Sequence, residues 1–341
     1  VWWRKWLKKG WPVILAFILG FMIALPLGIF LAFKQVFSPL PRGSQHRLGQ
    51  VNLINPLLYC EIGTREEFNE LKPLQEVLKK NIENSKQKGL VQAVSVYFRA
   101  MNSGRWTGIN ENDEFTAASL LKVPVMISYY KYTEAQPNIL TQTLKFEGGA
   151  DLNATQNFKP AIPLRVGQIY SMGELIDSMI RYSENNAAAL LTHSADPALI
   201  ERTYHDLDVP IKEDPNHDQV LTPREYSNFF RTLYNANYLN SETSEQALQL
   251  LTQTEFKDGL VAGVPTETRV AHKFGESTFL GDDQKVQSAE LHDCGIVYYP
   301  NHPYFVCVMT RGKQLAPLTG VIQDISKTVY DFVNHLHQGK G

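Results

Sequence analysis

The longest uninterrupted apolar run in the chain is residues 13–33, from Val13 to Phe33, which contains no charged side chain. At about 1.5 Å per residue it is long enough to cross a bilayer as a single helix. It also exceeds the apolar region of a cleaved leader and lacks a small-residue cleavage site, so the pattern predicts an uncleaved anchor. Arg4, Lys5, Lys8 and Lys9 precede the span together with Trp2, Trp3, Trp6 and Trp11. The positive-inside rule therefore puts residues 1–12 in the cytoplasm and everything after Lys34 outside the membrane. Residues 34–63, with Pro39, Pro41, Gly43 and Pro56, read as a linker whose short apolar stretch Val51–Leu58 docks onto the domain downstream of it.

Residues 64–338 have the periodicities of one folded domain. Thr64-Arg65-Glu66-Glu67 has capping-box form, and Leu71, Leu74, Leu78 and Ile82 follow at helical spacing. Val91–Arg99 reads as a strand, and Asn102-Ser103-Gly104 as a turn into a second strand ending near Ile109. The stretch 130–265 is mainly helical, including Met172–Tyr182 and Pro223–Tyr234, the latter with Thr222 as N-cap. Strands return at Ala289–Tyr299 and Tyr304–Arg311, and a closing helix, Val321–His335, sets Ile322, Ile325, Val329, Phe332 and Leu336 on one face. Strands, then helices, then strands predict an α+β fold: an antiparallel sheet flanked by helices, with an inserted all-helical lobe.

Charge and composition narrow the field. Thirty-three basic against thirty-five acidic residues leave a net charge of −2, which gives a nucleic-acid partner no electrostatic support. Nine histidines are scattered without metal-ligand spacing, and nothing in the chain points to a metal, nucleotide or flavin, so no cofactor is expected. Cys60, Cys294 and Cys307 allow at most one internal disulfide. The pair is open at this level, and Cys294 and Cys307, on adjacent predicted strands, serve equally well as two buried thiols.

The chemistry is concentrated in three short boxes: Ser119-Leu120-Leu121-Lys122, Ser183-Glu184-Asn185 and Lys273-Phe274-Gly275. A serine hydroxyl is a poor nucleophile until a neighbouring base removes its proton, and side chains at i and i+3 share a helix face, so Lys122 can reach Ser119. The lysine must be neutral to act, which requires burial and a nearby positive charge such as Lys273. Phe115–Ala118 before Ser119 and Val123–Ile127 after Lys122 predict a buried helix starting close to the serine, with orphan N–H groups aimed at a developing oxyanion.

In this order the boxes resemble the SxxK, SDN and KTG signature of the penicillin-recognising serine enzymes, the class A β-lactamases and penicillin-binding proteins. The resemblance implies a β-lactamase/transpeptidase-like fold over nearly the whole extracytoplasmic part, with the boxes meeting between sheet and lobe. It implies Ser119 as nucleophile, Lys122 as base and Ser183 as proton shuttle. Asn185, Lys273 and Gly275 would bind substrate, joined by Arg311 at the end of the last strand, and the backbone N–H of Glu276 would form half of the oxyanion hole. His272 is read as a supporting residue and not a catalyst.

Two departures stand out. Phe274 occupies the place where the family carries a hydroxyl residue that binds the substrate carboxylate. Between Leu207-Asp208-Val209-Pro210 and Leu221-Thr222-Pro223 only Ile211–Val220 remain, so the Ω loop, which carries the glutamate that activates the deacylating water in class A β-lactamases, looks deleted. Glu213, Asp214 and Asp218 in the remnant read as a polar turn. The expectation is a membrane-anchored serine hydrolase acting on cell-wall peptide with slow deacylation. A class A-type β-lactamase and a non-catalytic β-lactam or muropeptide sensor are the alternatives. Ser277–Gln287 is expected to be a mobile rim or an exposed turn.

Overall fold

The computed structural model describes residues 52–55, 68–281 and 283–338, all within the unit Arg47–Gly341. The expected cytoplasmic segment, the span 13–33, the Thr64 capping box and Cys60 lie outside the described residues, and among those described no helix is long and apolar enough to cross a membrane.

The sheet is built from β1 (Ala93–Ala100), β2 (Trp106–Ile109), β8 (Val270–Leu280), β9 (Val286–Val297) and β10 (Tyr304–Gly312), in the order β2-β1-β10-β9-β8 and antiparallel throughout. Between β2 and β8 the chain forms a three-stranded sheet in which β7 (Gln219–Leu221) pairs with both β3 (Phe115–Thr116) and β6 (Lys212–Glu213), and a two-stranded one of β4 (Thr143–Lys145) with β5 (Ile169–Ser171). One face of the sheet is covered by α1 (Lys72–Gln87) and the C-terminal helix α8 (Leu315–Gln338). Leu74, Leu78, Val96, Phe98, Val306, Ile322 and Val329 are buried between them. The other face carries the helical lobe: α2 (Lys122–Tyr132), α3 (Met172–Arg181), α4 (Asn185–Ser194), α5 (Pro197–Asp206), α6 (Pro223–Asn235) and α7 (Ser241–Thr252).

Local sequence explains where these helices start. Ser171 and Glu174 form a capping box on α3, and Thr222 and Glu225 form another on α6, whose first helical residue, Pro223, has no N–H to lose there. Helix α2 is buried all round from Lys122 to Tyr130, as expected of a helix with no solvent face. Residues 52–55 dock onto the lobe: the Glu245 carboxylate accepts from the backbone N–H groups of Asn52, Leu53 and Ile54 at 3.0–3.1 Å, and Leu53 and Ile54 are buried.

Three expectations change. Most of Ser277–Gln287 is strand: β8 runs on to Leu280 and β9 starts at Val286, and the exposed turn is confined to the hairpin tip, where the Gly281 N–H donates to the Lys285 carbonyl. Beyond Gly275 that hairpin projects away from the core, so no apolar alternation marks it in the sequence. The closing helix begins at Leu315, and its buried stripe runs through Leu318, Ile322, Ile325, Val329 and Val333, leaving Phe332 half-buried and Leu336 exposed. Cys294 and Cys307, directly opposite on β9 and β10, are joined as a disulfide, which closes the alternative of two free thiols.

The disulfide bridges a sequence separation of 13 residues across the middle of the sheet. A loop of that size restricts the unfolded chain by about 3 kcal/mol. The double variant Cys294→Ala/Cys307→Ala is expected to lose stability of about 2–4 kcal/mol in urea unfolding. An unchanged midpoint would show that the strand pairing alone holds this register.

Candidate active site

Ser119 follows a segment pinned from the sheet. The Thr116 N–H donates to the Glu290 carboxylate at 2.9 Å, and the Thr116 carbonyl accepts from His292 Nε2 at 3.0 Å. Arg311 Nε donates to the other Glu290 oxygen at 2.6 Å. Ala118 is then held at φ 47°, the left-handed region that a side chain disfavours, before the 3₁₀ turn Ala118–Leu121 runs into α2. No side-chain cap hydrogen bond closes that turn, so the Ser119 hydroxyl is not used as a helix cap.

The hydroxyl lies 2.9 Å from Lys122 Nζ. The same nitrogen lies 3.0 Å from Ser183 Oγ, 2.6 Å from the Ser183 carbonyl and 2.6 Å from Asn185 Oδ1. The last two oxygens can only accept, so they take two N–H donors. A neutral amine then has its lone pair free to accept a hydroxyl proton, which a charged ammonium cannot do. Lys273 Nζ reaches Ser183 Oγ from the other side, at 2.9 Å, and also donates to the Phe274 carbonyl at 3.0 Å. Ser183, at φ 54°, is thus suspended between two lysines.

Burial sets the charges. Lys122 is 5% exposed, and loss of hydration pulls its pKa down to about 7, against the pull of the Glu184 and Glu276 charges. Lys273 is fully buried and lies well below its ordinary value, first through burial and second through repulsion from Lys122. The motif chemistry predicts that Lys273 depresses Lys122. In the structure burial is the principal cause at Lys122, and the repulsion between the lysines adds to burial at Lys273. With both amines within 3.0 Å of the one Ser183 hydroxyl, repulsion disfavours a charge on both at once.

Residues with no motif of their own hold this array. Glu184 is buried as the N-cap of α4, its carboxylate accepting from the Ala187 N–H, Asn186 Nδ2 and Asn153 Nδ2. Asn153 Oδ1 accepts from the Asn185 N–H at 2.8 Å, Asn185 Nδ2 donates to the Leu152 carbonyl at 2.9 Å, and Gln156 Nε2 donates to the Ser183 carbonyl at 2.9 Å. Sequence reasoning misses Asn153 and Gln156. They lie some thirty residues before the second box, in a loop with no periodicity, and only the run of amide side chains at 153, 156 and 157 marks them.

On β8, Gly275 lies where a Cβ would come within 3.1 Å of the Ala117 carbonyl and 3.2 Å of the Leu120 nitrogen, so the strand can press against the serine turn. Phe274 is buried, stacked on Phe256 at 4.4 Å between centroids, with Phe158 edge-on at 5.7 Å and Lys273 Nζ 4.2 Å above its ring. The Glu276 side chain, to which the motif gives no role, accepts hydrogen bonds from Asn157 and Phe158. Arg311 does not join the array: it pairs with Glu290 and lies over the Phe115 ring. His272 faces Asp293, Nδ1 to Oδ1 at 2.8 Å, and not the serine. Ile211–Val220 is a short hairpin in which Asp214 Oδ1 accepts from the backbone of Asn216 and Asp218. Among the described residues, no carboxylate hydrogen-bonds to the Ser119 hydroxyl, and no cluster of three or more His, Cys, Asp or Glu is arranged to hold a metal ion.

The model of the beta-lactamase enzyme family matches residues 73–333. Among solved structures the fold is similar to that of PBP-A, with a TM-score of 0.64 and 19% identity, covering 78% of this chain and 97% of that one. A class A beta-lactamase from Mycobacterium abscessus superposes with a TM-score of 0.65 at 20% identity over 76% of this chain and 99% of that one. A beta-lactamase from Xanthomonas campestris pv. campestris gives 0.63 at 20% identity over 76% and 98%. No curated protein matches by sequence.

The geometry has two measurable outcomes. Gly275→Ala drives a methyl group against backbone that cannot swing aside, so labelling of Ser119 by a fluorescent penicillin is expected to slow by about tenfold or more, with far less effect on melting temperature. Equal labelling rates would show that the strand and the serine turn are not tightly coupled. Between a folded pKa near 7 and an unfolded value of 10.5, the unfolded chain binds more protons at Lys122, so this residue makes stability rise with pH across that window. The stability difference between Lys122→Met and wild type is therefore expected to favour the variant most at pH 7 and below and to shrink towards pH 10. A pH-independent difference in urea midpoints would contradict the depressed pKa.

Proposed function

The chain belongs to the beta-lactamase enzyme family, and we propose that within it this protein is a membrane-anchored, extracytoplasmic serine acyltransferase of the penicillin-binding type, acting on cell-wall peptide. The observation that carries this reading is the continuous contact from Ser119 Oγ to Lys122 Nζ to Ser183 Oγ to Lys273 Nζ, at 2.9, 3.0 and 2.9 Å. Ser119 attacks an amide or strained lactam carbonyl as its proton passes to the neutral amine of Lys122. The N–H groups of Ser119 and Glu276 hold the oxyanion, a contribution on the order of 3 kcal/mol per donor in serine enzymes. As the tetrahedral intermediate collapses, the proton moves from Lys122 through the Ser183 hydroxyl to the leaving amine, with Lys273 orienting that hydroxyl. Asn185 donates to the substrate amide with the Nδ2 hydrogen not directed at Leu152.

The positions of the carboxylates support slow deacylation. Glu213, Asp214 and Asp218 belong to the β6–β7 hairpin, and the Glu184 oxygens are taken by three donors. Among the described residues no carboxylate is bonded to the Ser119 hydroxyl, so a hydrolytic water has no carboxylate base beside Lys122, which supports a long-lived acyl-enzyme. A PBP-A mutant is known in acyl-enzyme complex with penicillin G, which supports the same chemistry here. The apolar span 13–33 supports anchoring, and the Cys294–Cys307 disulfide supports an oxidising compartment outside the cytoplasm.

Incubation with penicillin G followed by intact-mass measurement is expected to show one stable adduct per chain, absent in Ser119→Ala. A chromogenic cephalosporin should give a stoichiometric burst and no steady turnover. Steady turnover would overturn this reading in favour of a β-lactamase. No adduct, with a raised melting temperature, would favour a non-catalytic binding domain.

A further inference from the structure

Strand β8 is the outermost of the large sheet and lies against the site: Lys273 Nζ reaches Ser183 Oγ, and Gly275 packs against the turn that bears Ser119. The segment Asn153–Phe158, in the loop between β4 and β5, is bonded both to Ser183–Asn185 and to β8. At one end, Asn153 holds Glu184 and the Asn185 N–H, and Gln156 holds the Ser183 carbonyl. At the other end, the Glu276 carboxylate on β8 accepts three hydrogen bonds, from the N–H of Asn157 at 2.8 Å, Asn157 Nδ2 at 2.7 Å and the N–H of Phe158 at 2.8 Å. Asn157 Nδ2 also lies 3.2 Å from Thr278 Oγ1, and the Phe158 ring sits edge-on to Phe256 and Phe274. Lys159 closes the segment on itself by donating to the Asn153 and Ala154 carbonyls at 2.7 and 2.6 Å. Charge-assisted hydrogen bonds to one carboxylate are the strong kind, and here they link the lobe to the strand edge along which an extended peptide would pair.

We propose that Asn153–Phe158 is a strap, latched on the Glu276 carboxylate, that must lift from β8 before an acyl donor can reach Ser119, so that unlatching limits the rate of acylation. The proposal rests on the acyl-transfer reading of the site. Its occupants on both sides are residues of this chain, and it assigns Glu276 a side-chain role in admission of substrate, separate from the role given to its backbone N–H.

The test is a reversible lock. In the full chain, the pair Asn157→Cys/Thr278→Cys is oxidised, and Ser119 labelling by a fluorescent penicillin is followed before and after mild reduction, with each single cysteine variant as control for the buried native disulfide. The oxidised protein is expected to label at least about a hundredfold more slowly than the reduced one, and Glu276→Ala, with no lock, to label about tenfold faster than wild type. Equal labelling of the oxidised and reduced forms, or cysteines that do not pair under oxidation, would overturn the strap. Wild type that takes no label contradicts the acyl-transfer reading instead. The strap is then judged by the penicillin-induced rise in melting temperature, which the oxidised lock must abolish and reduction must restore.

Discussion

The site depends on how many hydrogens one nitrogen has to give. Four oxygens surround Lys122 Nζ, and two of them, the Ser183 carbonyl and Asn185 Oδ1, can do nothing but accept. Two N–H bonds fixed in those directions turn the third tetrahedral position towards the hydroxyls. A lysine at the surface would stay charged and have no lone pair to offer. Burial makes the neutral form accessible at physiological pH, and the two fixed acceptors orient it.

Most of the fold serves to keep that nitrogen dry and those oxygens still. Helix α2 has no solvent face along its first turns, so Lys122 has no exit to water. Two residues beside the reacting atoms, Ala118 and Ser183, are held at positive φ, a conformation that persists only where the surroundings impose it. The surroundings are Glu290 and His292 from the sheet on one side, and Glu184, Asn153 and Gln156 from the lobe on the other. Gly275 lets the two halves approach within backbone contact. Sheet and lobe are therefore two halves of one clamp, with the cross-sheet disulfide stiffening the strands behind it.

The parts of this arrangement that obey local rules are readable in the chain. Helical spacing marks α1, the caps Thr222 and Glu225 mark α6, and the order of elements implies an antiparallel sheet with a helical lobe. The three boxes are readable because nucleophile, base and shuttle demand particular residue types at short spacing. What escapes is non-local. Asn153, Gln156 and the Glu276 side chain act through contacts spanning 27 to 119 residues, and a polar loop has no period to announce them. The outer half of the β8–β9 hairpin is invisible for a related reason: it buries too little surface to need alternation. Arg311 is assigned to the site by position on its strand, but its partner Glu290, opposite on β9, decides where it points.

The same physics connects structure to proposed activity. In the proposed activity, a serine with no carboxylate bonded to it among the described residues makes an acyl bond faster than water breaks it, and the proposed strap over β8 adds control at entry. The central claim is that a buried, neutral Lys122 takes the serine proton, and the pH dependence of the Ser119 acylation rate tests it most directly. The account predicts a rate that rises with pH through a midpoint near 7, as the amine loses its charge, and then levels off. A flat profile, or one still rising towards the ordinary lysine range near 10.5, would contradict it.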